Sequence, residues 1–164
     1  VIRIEPPDPV PELVALTARP GAEPAITIAA LGHREPLLGP FLGWAAALAL
    51  EGVLPKRDHE LLALRAAHNC SSRFEWVEHS GFAREAGITD HEIACVASGA
   101  DPGWSWREQL LLRAADELHR TAAISAGTWA ELGACATTAE LVEAVYVVGQ
   151  YTMLSMVANV VEGT

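Results

Sequence analysis

Three ionisable residues stand where a helical pattern calls for apolar ones. Projected at about 100° per residue, the stretch from Arg73 to Ala86 gathers Glu75, His79, Phe82, Ala83 and Ala86 on one stripe, with Trp76 at its edge. Glu78, Arg84 and Glu85 fall on other sides and read as a solvated face. In the preceding segment Glu60 shares a stripe with Leu64, Ala67 and Ser71, and Leu61 and His68 lie at its margin. Two helices joined tightly near Cys70–Ser72 would pack antiparallel and bring Glu60, Glu75 and His79 around one cavity. The chemistry of such a set is proton transfer. Burial raises a carboxyl pKa and a neighbouring carboxylate raises that of an imidazole, which draws both toward neutrality and lets an acid and a base coexist.

Each residue also has an ordinary explanation. Ser72 and Glu75 make the Ser/Thr-x-x-Glu signature of a helix start, which recurs at Thr89/Glu92, Ser105/Glu108 and Thr137/Glu140. A single histidine on an apolar face is often a satisfied core residue. What points to a site is the i, i+4 placement of Glu75 and His79 on one apolar stripe. A metal centre is the weaker alternative: the trio offers three ligands, yet the chain has no H-E-x-x-H, no second Glu-x-x-His and no evident fourth ligand. A metal is not expected. Around the trio, Trp76 can wall a binding space, Arg65 or Arg73 can hold a substrate carboxylate from the periphery, and His68 and Cys70 complete the candidate substrate contacts. Cys70, Cys95 and Cys135 include no C-x-x-C, so a thiol redox pair is not written here, and Cys70 reads as a packing residue before a nucleophile. His33, His59, His91 and His119 read as surface or packing residues.

The elements that must carry these side chains are helices. Helical spacing and caps predict segments near Pro36–Leu50, Arg57–Cys70, Arg73–Ala86, Asp90–Ala97, Trp106–Thr121, Thr128–Cys135 and Thr138–Val161, about seven helices and an all-α fold. Prolines at 6, 7, 9, 11, 20 and 24 exclude a long helix or central strand ahead of them. Residues 1–35 are therefore expected to be an arm and residues 36–164 the helical domain, one compact body overall. The chain has 164 residues, 51% hydrophobic and 20% charged, with 11 Lys+Arg against 21 Asp+Glu for a net charge of -10. That charge repels phosphate backbones and anionic membrane surfaces, so a small-molecule substrate is the expected partner, with no nucleic acid and no membrane. Residues 1–10 lack the apolar core of a signal peptide, and the cysteine usage fits a reducing cytoplasm. The run Ala144–Val161 carries no charge but is interrupted by Gln150, Tyr151, Thr152, Ser155 and Asn159. It reads as a buried or interfacial helix with more apolar surface than a monomer covers, hence a homo-oligomer.

The stretches Leu54-Pro55-Lys56-Arg57-Asp58-His59-Glu60-Leu61, Phe74-Glu75-Trp76-Val77-Glu78-His79 and Ala83-Arg84-Glu85-Ala86-Gly87-Ile88-Thr89 resemble the carboxymuconolactone decarboxylase family, within the alkyl hydroperoxidase D-like superfamily. The likeness continues through Ala115-Asp116-Glu117-Leu118-His119 and Gly149-Gln150-Tyr151-Thr152-Met153. In the peroxidase branch the reactive set is a Glu, a C-x-x-C pair and a His. Glu60 and His79 match the Glu and the His, whereas Ser72 and Glu75 occupy the cysteine positions. The resemblance implies a helical fold, trimers or hexamers, and no organic cofactor or required metal. It also implies acid–base chemistry on a small oxygenated acid or lactone, by decarboxylation or a related isomerisation, elimination or cyclisation. A non-catalytic binding or accessory protein, and a peroxidase-like protein using Cys70, are the alternatives.

Overall fold

The computed structural model describes residues 2–5, 7, 8 and 25–163; most of the expected proline-rich arm, residues 9–24, lies outside the described residues. Among the described residues every regular element is helical: α1 Ile26–Leu31, a 3-10 turn Gly32–Arg34, α2 Glu35–Leu50, α3 Lys56–Asn69, α4 Arg73–Glu85, α5 Asp90–Ser98, α6 Trp106–Thr121, α7 Ala126–Gly133 and α8 Thr138–Glu162. Helices α2 to α8 are the predicted ones, and α1 is an addition at the end of the stretch expected to be an arm. Helix α7 starts at Ala126 rather than Thr128. Its cap is Ser125, whose side chain accepts from the Thr128 N–H, and without a Glu three residues on this start escapes the capping signature.

The residues divide into two compact units: those up to Glu51 together with those from Met156, and Gly52–Ser155. The boundary expected after residue 35 falls inside the first unit. There α1, the 3-10 turn and α2 pack on one another, and the Arg3 N–H donates to the Val161 carbonyl at 2.7 Å.

The second unit is built around α3, which is buried continuously from Asp58 to Leu64. Helices α6 and α4 pack against it most extensively, and α5 joins them. Leu61 and Leu64 meet Ala83, Ile88, Ile93, Val96 and Trp104 in the core, where each large apolar side chain contributes roughly 1.5–3 kcal/mol by leaving water. Charges at the start of α3 are matched across the unit. Arg107 on α6 donates to Asp58 at 2.7 Å, to Glu140 at 2.7 Å and to the Cys135 carbonyl at 2.6 Å. Arg57 reaches Glu108 at 2.7 Å and Glu92 at 2.5 Å.

The turn between α3 and α4 sets up the site. Ser71 takes a left-handed backbone with φ 53°, its N–H donates to the His68 carbonyl, and the Ser72 N–H donates to the Ala67 carbonyl. This is a Schellman ending, and Ser72 is at once its last residue and the N-cap of α4. The two helices are thus joined with almost no linker and fold back on each other.

Candidate active site

Helix α3 contributes Glu60 and α4 contributes Glu75 and His79, and the three side chains meet. His79 Nδ1 lies 2.8 Å from Glu60 Oε2, and His79 Nε2 lies 3.6 Å from Glu75 Oε2. Their residues are only 8%, 3% and 6% exposed for Glu60, Glu75 and His79 respectively. The imidazole thus stands in line between two carboxylates. A carboxylate can only accept, so Nδ1–H donates to Glu60, which fixes the ring's tautomer and turns Nε2 toward Glu75. At 3.6 Å that second contact is longer than a hydrogen bond, leaving Nε2 and the Glu75 carboxyl as two neighbouring proton positions.

Burial pushes the Glu75 carboxyl up to about 7, with Glu78 adding to the rise and His79 opposing it. Glu75 therefore exchanges its proton near neutral pH, the range in which a carboxyl serves as acid or base. The capping explanation for this residue is half correct. Ser72 Oγ does accept from the Glu75 N–H at 3.4 Å. At Thr89/Glu92, Ser105/Glu108 and Thr137/Glu140 the Glu carboxylate also bonds back to the cap N–H. At Ser72 that N–H is already given to Ala67 by the α3 ending, and the Glu75 carboxyl faces His79 instead.

Two residues that sequence reasoning did not assign to the site complete its surroundings. The Tyr151 ring from α8 lies 4.1 Å from the His79 ring, centroid to centroid, at 69°. Its hydroxyl is 2.9 Å from His59 Nε2, and both residues are buried. Phe82 lies 5.6 Å from the His79 ring, centroid to centroid. Tyr151 carried a signal as a polar group interrupting an apolar run. His59 carried none, because it follows Lys56, Arg57 and Asp58 and so reads as an exposed helix start.

The remaining candidates are placed as follows. Trp76 is half-buried against the core cluster and meets the exposed His68 edge-on at 6.0 Å. Burial, followed by Arg65, pushes the His68 imidazole down. Arg65 is engaged elsewhere: it donates to both Asp116 oxygens, at 2.6 and 2.8 Å, and to the Val96 carbonyl. Holding a substrate carboxylate would require breaking that bidentate pair, so Arg65 is a tie between α3 and α6. Arg73 is exposed on the first turn of α4. Cys70 is half-buried with His119 Nδ1 at 4.0 Å, and burial pushes its thiol up despite a bond to Thr152. That shift disfavours the thiolate a nucleophile needs. Among the described residues no group of three His, Cys, Asp or Glu side chains is disposed to hold a metal ion.

The comparisons agree with this helical frame. In fold the chain is similar to an uncharacterised peroxidase-related protein from Silicibacter sp. TM1040, with a TM-score of 0.83 at 16% identity, covering 98% of this chain and 89% of that one. No curated protein matches it significantly. The model of the carboxymuconolactone decarboxylase family matches residues 40–117, a stretch that contains Glu60, Glu75 and His79 and leaves Tyr151 outside. Over residues 40–117, just under half of its length, the chain is thus similar to the carboxymuconolactone decarboxylase family, and its all-helical fold is the one it shares with the peroxidase-related neighbour.

Proposed function

We propose that this protein is a cofactor-independent acid–base enzyme acting on a small oxygenated acid or lactone, by decarboxylation or a related isomerisation, elimination or cyclisation. The observation that carries this reading is the imidazole of His79 held between two buried carboxylates, one of them titrating near neutrality. When an unsaturated carboxylated lactone loses CO2, the C–C bond breaks and its electron pair spreads into the ring as a dienolate. Carbon must then take a proton. His79 supplies or shuttles it from Nε2, Glu75 is its partner or the base, and Glu60 orients the ring; solvent restores the proton afterwards. Trp76 and Arg73 are the residues we assign to substrate contact.

The name of the Silicibacter neighbour favours a second reading, thiol redox chemistry through Cys70. Against it stand the missing second cysteine and the raised thiol pKa. We further propose a homo-oligomer, a trimer or hexamer, supported by the exposed Val142, Met153 and Met156 on α8. Among the described residues α8 is long and apolar enough to cross a membrane, yet 44% of its most apolar window is buried in the protein, which supports its reading as a core and interface helix. We also propose a reducing cytoplasm as its location, supported by Cys70, Cys95 and Cys135 standing as thiols outside any disulfide.

The test is turnover of carboxymuconolactone, with hydrogen peroxide as the competing substrate. Wild type should convert the lactone, His79→Gln should be slower by roughly two to four orders of magnitude, and Cys70→Ser should match wild type. Peroxide consumption abolished by Cys70→Ser would establish the second reading. No lactone turnover by wild type, or undiminished turnover by His79→Gln, would overturn the first.

A further inference from the structure

His59 and Glu60 are consecutive on α3, and each holds a different partner. Glu60 takes His79 Nδ1 on α4 at 2.8 Å, while His59 Nε2 meets the Tyr151 hydroxyl on α8 at 2.9 Å. Consecutive residues on a helix point about 100° apart, and both can reach buried partners only because α3 is enclosed on all sides between Asp58 and Leu64. The Tyr151 ring closes the loop by standing edge-on to the His79 ring at 4.1 Å. Four side chains from three helices therefore form one clamp.

The bond between Glu60 and Nδ1 fixes one end of the imidazole but leaves the ring able to turn about that axis. A second contact out of line with the first removes this freedom. Tyr151 is placed to do so, since its ring touches His79 and its far end is anchored. The anchor is uncharged. Burial and the charges of Glu60 and Glu75 push the Tyr151 phenol up, and burial pushes the His59 imidazole down. Both groups are therefore neutral, and a single hydrogen bond joins the phenol to His59 Nε2.

We propose that Tyr151, anchored by His59, is a positioning residue that holds the plane of the His79 imidazole and so directs Nε2 to the reacting proton. The idea rests on the acid–base reading for its purpose, but its structural content can be measured without any substrate. In the full chain, 13C relaxation of the His79 ring C–H groups should show a rigid imidazole. Tyr151→Phe keeps the ring and loses the anchor, so the order parameters of those C–H groups should fall as the imidazole turns about its bond to Glu60. His59→Leu should do the same. His59→Gln, which keeps a hydrogen-bonding partner for the phenol, should recover the wild-type pattern. Where lactone turnover is present, Tyr151→Phe should lower kcat by about tenfold with KM changed less than about twofold, the signature of misorientation. The double variant Tyr151→Phe/His59→Leu should be no worse than either single one, because all three lose the same bond. Unchanged His79 order parameters in both Tyr151→Phe and His59→Leu would overturn the proposal even if turnover is high. Absent turnover with the expected NMR changes would instead fault the catalytic reading and leave the clamp standing.

Discussion

Replacing Glu75 by Gln keeps the shape of the side chain and removes its charge, so the variant isolates what burying that carboxyl does to the fold. The group has an ordinary pKa of 4.5 and is pushed up to about 7 in the folded chain. Between those values the folded state binds more protons than the unfolded one. A group raised in this way contributes stability that is fully present below the unfolded pKa and is lost as pH rises through the folded one. Each pKa unit is worth 1.36 kcal/mol, so the loss from Glu75 amounts to about 3 kcal/mol between pH 4 and pH 8. Gln does not titrate and has no such loss. Urea unfolding of both proteins at the two pH values, at one fixed protomer concentration, measures it. The stability of Glu75→Gln relative to wild type should rise by about 3 kcal/mol from pH 4 to pH 8. A difference that stays constant across that range would mean that Glu75 titrates alike in the folded and unfolded chains, and the reasoning about its burial would fail.

Arg107→Met should cost on the order of 2–4 kcal/mol in urea unfolding, because it leaves the buried Asp58 carboxylate without its partner. Ala122 ends α6 in the left-handed region at φ 55°, where a Cβ is disfavoured, and Ala122→Gly should raise stability by about 0.5–1 kcal/mol. Light scattering at micromolar concentration should give the mass of a trimer or hexamer, and Met153→Glu, on the exposed face of α8, should lower it; a stable wild-type monomer would refute the oligomer.

How much of this molecule was legible in its sequence depends on the range of each interaction. The capping signatures located α5, α6 and α8 because cap and carboxylate are three residues apart and bond to each other. The same signature at Ser72 misstates what Glu75 does, since the competing bond comes from Ala67 in the previous helix. Glu60, Glu75 and His79 stood out as charges on apolar stripes, a local pattern that survives without knowledge of the fold. The His59–Tyr151 bond spans 92 positions, and nothing near either residue announces it. Arg65 shows the converse. Its guanidinium suggested a hold on a substrate carboxylate from the periphery, but Asp116, 51 residues away, holds it instead.

The central claim is that the Glu60–His79–Glu75 array delivers a proton to carbon. Carboxymuconolactone turned over in D2O tests it most directly, by showing where the deuteron lands on the carbon that receives it. Delivery from a fixed His79 Nε2 predicts one deuteron on one face only, detected by NMR of the product. Deuterium distributed equally over both faces would mean that the dienolate is protonated by bulk solvent, and would contradict the account.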